Sequence, residues 1–152
     1  MQITKQRRLD LLGNVWLFEQ CSRRELDVLQ RAATEVQVSE GRTLAKQGDL
    51  GREFVVIIDG KATVTLDGTE IAVLGPGSFF GEMSLLDGKP RAATVTTVEP
   101  TRLLVLTAQA FSSVTATMPS VDRKMLAVLA DRLRTIETTY VPTDHRAGRP
   151  TI

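Results

Sequence analysis

At 152 residues the chain has room for one domain with a sizeable core but not for two ordinary ones. With 24% charged and 42% apolar residues it has the composition of a globular chain, not of a disordered one. Lys and Arg number 19 against 18 Asp and Glu, a net charge of +1 that lacks the basic excess needed to hold DNA by its phosphates, so no nucleic-acid partner is expected.

In chain order, a short helix is expected first, with Leu9, Leu12, Trp16 and Phe18 as its buried side and its exit. Ser22-Arg23-Arg24-Glu25 has capping-box spacing, and Leu26, Leu29, Ala32 and Ala33 follow at helical intervals. From Val36 the period changes. Glycines at 41, 48, 51, 60, 68, 75, 77, 81 and 88 punctuate short apolar runs, the pattern of an all-β sandwich or barrel. Phe54 to Ile58 is a continuous apolar run ending at Asp59-Gly60, and Ala62, Val64 and Leu66 alternate with polar residues up to Asp67-Gly68. That pattern predicts a hairpin with an Asp-Gly turn, followed by the strand Glu70 to Leu74. Ala93 to Val98 and Arg102 to Leu106 are two further strands flanking a bend at Glu99-Pro100.

Helical spacing returns over Ala108 to Thr117 and again beyond Pro119, whose fixed φ suits a first helical turn. In the last helix Leu126, Leu129, Leu133, Ile136 and Tyr140 form one apolar stripe and Val121, Met125 and Val128 a second. Two apolar faces need two covers, which leaves room for a homodimer through this C-terminal helix. The predicted organisation is one domain over residues 1–140: helical over 1–34, β over 36–107, helical again over 108–140. Residues 141–152, polar and rich in Gly and Pro, are expected to form a disordered tail.

The single cysteine, Cys21, excludes an internal disulfide and supplies one thiolate where a zinc or iron–sulfur site wants several. No apolar run approaches the roughly 20 residues of a membrane helix, and no secretory signal follows the basic start, so a cytoplasmic protein without membrane insertion is expected.

The informative segment interrupts the strands between Leu74 and Ala93. Glu82 to Leu86 predicts a short helix whose first turn takes in Gly81, Glu82, Met83 and Ser84, and the unpaired N–H groups of a helix start favour an anion. Arg91, stiffened by Pro90, can make a bidentate contact to a phosphate. Glu82 would repel a phosphate but can accept from a sugar hydroxyl. Together they describe a sugar phosphate.

The sixteen residues from Phe80 to Val95, FGEMSLLDGKPRAATV, resemble the phosphate-binding cassette of the cyclic nucleotide-binding domain family. Lys46 to Gly51 and Ile58-Asp59-Gly60 are similar to that family's structural glycine pattern. The resemblance is to the domains of protein kinase A regulatory subunits, bacterial catabolite activators and cyclic-nucleotide-gated channels. It implies a mainly β fold with flanking helices: a jelly roll (double-stranded β-helix) of about eight strands, with N-terminal helices, a short phosphate-binding helix and C-terminal helices. It also implies that Glu82 meets the ribose 2′-hydroxyl and Arg91 the cyclic phosphate, with Phe80, Gly81, Met83, Ser84, Ala92 and Ala93 around them. Where cGMP-selective relatives typically carry Thr after the arginine, this chain has Ala92, so the resemblance favours cAMP, with cGMP as second ligand. A residue of the last helix closes the family's pocket over the base; Arg132, Leu133, Thr135, Ile136 and Thr139 are the candidates, Arg132 first.

Two other functions are excluded on residue type. The cupin enzymes share the jelly roll but need several His and carboxylate ligands, and the only histidine, His145, lies outside the β unit. Its position also leaves no Ser-His or Cys-His pair in the body of the chain. No catalytic group, metal or resident cofactor is expected. A transcription factor would carry a helix-turn-helix after the sensor, which the residues after Tyr140 do not encode. The expectation is a non-catalytic sensor or regulatory domain, or else a fragment of a larger cyclic-nucleotide-regulated transcription factor, channel, kinase or acyltransferase.

Overall fold

The structure, a computed structural model, describes residues 4–137; the side chains of Met83, Leu86, Asp87, Leu129 and residues 132–137 lie outside that description. Thr4 caps the first helix, α1 (Lys5–Gly13), its hydroxyl accepting from the Arg7 N–H. A single 3₁₀ turn, Trp16–Phe18, follows. Helix α2 (Arg23–Ala32) opens with the reciprocal cap that the sequence announces. The Ser22 N–H donates to the Glu25 carboxylate over 2.8 Å, and the Glu25 N–H to the Ser22 hydroxyl over 3.1 Å.

Eight antiparallel strands then form two four-stranded sheets, in the orders β1-β8-β3-β6 and β2-β7-β4-β5. They are β1 (Thr34–Val38), β2 (Thr43–Ala45), β3 (Glu53–Asp59), β4 (Ala62–Leu66), β5 (Thr69–Leu74), β6 (Phe79–Phe80), β7 (Thr94–Thr97) and β8 (Thr101–Thr107). A short helix, α3 (Glu82–Asp87), lies between β6 and β7, and α4 (Ala108–Thr115) and α5 (Pro119–Glu137) follow β8. This is the jelly-roll architecture with flanking helices that the family resemblance implied.

The two Asp-Gly pairs have different fates. Asp67-Gly68, with φ of 52° and 83°, closes the two-residue hairpin of β4 and β5, where Leu66 faces Thr69. Asp59-Gly60 instead carries the chain from one sheet to the other, so β3 and β4 are adjacent in sequence but do not pair. The reason lies in β3, whose five central residues are all buried. A strand apolar on both faces belongs inside a sheet, and its two edges are taken by β8 and β6. Gly60 has a φ of 102°, and a Cβ there would meet the Pro100 carbonyl oxygen at 2.7 Å.

Strand β3 also divides the core. Phe54, Val56 and Ile58 pack with the helices, in a cluster that includes Leu12, Phe18, Leu29, Phe111, Met118 and Val121. Val55 and Ile57 point the other way, between the sheets, against Val64, Phe80, Val95 and Leu103. Phe54 is the hub of the helical side, with ring centroids 5.7 Å from Phe18, 5.6 Å from Phe79 and 4.7 Å from Phe111.

Of the two stripes on α5, Val121, Met125 and Val128 face the core, while Leu126 is 64% exposed. The start of α5 is tied to the 3₁₀ turn by Lys124, whose ammonium donates to the Trp16 carbonyl and sits 4.9 Å from the Trp16 ring centroid. No helix among the described residues is long and apolar enough to cross a membrane. Tyr140 and residues 141–152 lie outside the described residues.

Candidate functional site

The site is built where β6 meets β3. Val55 pairs with Phe80 and Val56 with Phe79, which brings the next residue, Gly81, against the start of β3. Gly81 caps α3 with a φ of 103°, and a Cβ there would lie 2.3 Å from the Glu53 carbonyl oxygen, so only glycine fits. Gly88, also left-handed, ends the helix after six residues, its N–H bonding to the Ser84 carbonyl.

Arg91 is fixed first by its backbone. Its N–H donates to the Asp49 carbonyl over 2.8 Å and its own carbonyl accepts from the Gly48 N–H over 2.9 Å, so the turn between β2 and β3 grips the residue from both sides. Gln47 extends that grip: its N–H donates to the Thr94 hydroxyl, and its side chain bonds both the N–H and the carboxylate of Asp67 in the β4–β5 hairpin. The Arg91 side chain then turns inward. It is only 5% exposed, and Nη2 donates to the Glu53 carbonyl over 2.9 Å.

The electrostatics follow from that burial. Loss of water pushes the Arg91 guanidinium below its ordinary range, against the carboxylates of Glu53 and Glu82, which favour the cation. Arginine remains charged in proteins, so the site holds a buried cation beside the buried Glu82, which is 1% exposed. Among the described residues Nη1 of Arg91 has no hydrogen-bond partner, and it faces Gly81. A cleft of about 350 Å³, lined by Lys46, Asp49, Gly51, Arg52, Glu53 and Arg91 among others, opens beside it.

The structure thus brings Gly81, Glu82 and Arg91 together. Ser84 is buried on α3, and Ala92, next to the arginine, is exposed. Phe80 and Ala93 belong to the core between the sheets and support the segment from below. The Met83 side chain is outside the description. Arg132, Leu133, Thr135 and Ile136 fall on the last turns of α5, where side chains are not described, and Thr139 lies outside the described residues. Sequence reasoning missed Glu53, which enters the site through a carbonyl that no side-chain pattern announces. It gave Gly51 no role beyond a family pattern, and Gly51 lies against the guanidinium.

The family described as cyclic nucleotide-binding domain matches residues 35–118, from β1 to just beyond α4. The chain is similar to the cyclic AMP receptor protein of Thermus thermophilus, 40% identical over 100 residues that cover 62% of this chain and 46% of that protein. It is also similar to a cGMP-dependent protein kinase of Plasmodium berghei, 31% identical over 133 residues, 88% of this chain and 14% of the kinase. The solved structure of the Thermus thermophilus catabolite activator protein superposes with a TM-score of 0.70 at 34% identity, over 82% of this chain and 61% of that one. The chain spans less than half the length of these two curated relatives.

Proposed function

The chain belongs to the cyclic nucleotide-binding domain family, and we propose that it is a non-catalytic sensor that binds cAMP in preference to cGMP and passes the bound state on through α5. The observation that carries the reading is Arg91: a buried cation with one guanidinium nitrogen free of any hydrogen-bond partner among the described residues, aimed at the start of α3. A buried donor left unmade is destabilising by roughly 1–3 kcal/mol, and an anionic oxygen of a cyclic phosphate relieves it. Glu82, buried beside it, accepts from the ribose 2′-hydroxyl.

Preference for cAMP rests on Ala92, which gives guanine no hydroxyl, and agrees with the similarity to the cyclic AMP receptor protein of Thermus thermophilus. Absence of catalysis is supported by the lack of any histidine among residues 4–137. In this reading residues 1–140 act as one cytoplasmic domain that binds no nucleic acid itself. Its output lies in a second copy docked on α5 about the exposed Leu126 or in a longer regulated protein. Transmission requires that the ligand favour one position of α5 over another.

Isothermal titration with cAMP, cGMP and AMP tests the proposal. cAMP is expected to bind most tightly, and Arg91→Ala to weaken it by at least about 1.5 kcal/mol, roughly tenfold. Failure of the unsubstituted protein to bind either cyclic nucleotide overturns it.

A further inference from the structure

Gly51 enters the site through the side chain it lacks. A Cβ built there would lie 1.8 Å from Nε of Arg91, 2.2 Å from Cζ and 2.5 Å from Nη2, so the guanidinium fills the space that any side chain at 51 would take. Gly51 is not among the left-handed glycines of the chain, whereas Gly48, three residues earlier, has a φ of 87°. The backbone therefore accepts an L-residue at 51, and it is the space that calls for glycine.

Three surfaces close around the guanidinium. Gly51 forms the floor, the Glu53 carbonyl takes Nη2, and Gly81 faces Nη1, where a Cβ would come within 2.8 Å. Such a seat fixes the direction of the buried Nη1, which has no hydrogen-bond partner among the described residues, before a ligand arrives, and it spares the ordering of a long flexible side chain on binding. We infer that Gly51 is a positioning residue for the ligand's phosphate, acting entirely through Arg91. The inference rests on the reading of Arg91 as the phosphate contact. A methyl group at 51 expels the guanidinium from its seat, breaks the bond to Glu53 and turns Nη1 away from the cassette. The fold itself tolerates the change, because what moves is the far end of a flexible side chain, and Gly→Ala at a compatible φ also stiffens the unfolded chain.

The test is a double-mutant cycle on the full chain, with Gly51→Ala, Arg91→Ala and the double variant titrated with cAMP and, in parallel, cGMP, alongside denaturation without ligand. Gly51→Ala is expected to raise Kd about tenfold or more while its ligand-free unfolding midpoint stays level or rises. In the Arg91→Ala background the same change is expected to add less than about twofold. Gly51→Ser, with more bulk in the same place, loses at least as much. Unchanged affinity in Gly51→Ala, additive losses in the double variant, or a lowered ligand-free midpoint each overturn the inference. Wild-type affinity in Arg91→Ala removes instead the phosphate assignment on which it stands.

Discussion

Arg91 is held to Glu53 by a main-chain atom: Nη2 donates to the carbonyl oxygen over 2.9 Å, while the Glu53 side chain is exposed. Changing the side chain at 53 cannot remove that bond. Glu53→Gln is expected to leave cAMP affinity within about threefold of wild type, since an exposed carboxylate near a cation contributes less than about 1 kcal/mol. Arg91→Lys keeps the charge but cannot serve the carbonyl and a phosphate together in one planar fork, and a loss of at least about 1.5 kcal/mol is expected. Calorimetric titration of the two variants checks both; equal affinity for Arg91→Lys would show that charge alone suffices.

Gly60 tests how the chain crosses between sheets. A side chain there meets the Pro100 carbonyl and the Thr101 Cα, both at 2.7 Å, at a φ of 102° that L-residues rarely adopt. The Thr101 hydroxyl lies nearer still, at 2.5 Å, but the two backbone atoms cannot swing aside as a side chain can. Gly60→Ala is expected to destabilise by about 2–4 kcal/mol, strain and clash together, as measured by urea denaturation.

How much of this was legible in the sequence depends on how far apart the partners lie. The Ser22–Glu25 cap reads directly, because both partners sit within one turn. So does the hairpin at Asp67-Gly68. Asp59-Gly60 shows the same dipeptide and behaves otherwise, since its outcome depends on which strands flank β3. The cassette could be recognised as a string, and Gly81, Glu82 and Arg91 do assemble. Burial of Arg91 against Gly51 and the Glu53 carbonyl was not legible, because it depends on β3 and β6 pairing across distant sequence and on a backbone atom that every residue type carries.

Phe54 offers a sharper measure of the helical core. It is fully buried and contacts three other aromatic rings. Phe54→Ala removes all three contacts and leaves a cavity under α4, for which a loss of about 3–5 kcal/mol is expected from chemical denaturation. A loss below about 1 kcal/mol would mean that the cluster collapses around the gap.

Asp27 links the helical layer to acid sensitivity. The Gln30 amide, first, and then Lys5, by hydrogen bond, with the charges of Arg31 and Lys5 adding less, hold its carboxyl below the ordinary aspartate range against an opposing effect of desolvation. A folded-state pKa below the unfolded one means that the contribution is present above the unfolded value, about 4, and is lost as pH falls through the folded value. The stability gap between wild type and Asp27→Asn, measured by denaturation from pH 7 to pH 2, is expected to be widest at neutral pH and to close in acid. A constant gap would assign the effect to packing.

The alternation of β3 has a mechanical consequence. Phe54, Val56 and Ile58 belong to one cluster and Val55 and Ile57 to the other, so the strand is a party wall between two rooms. Neither room can be emptied while the other stands, and Glu53, at the end of that wall, is where Arg91 is moored.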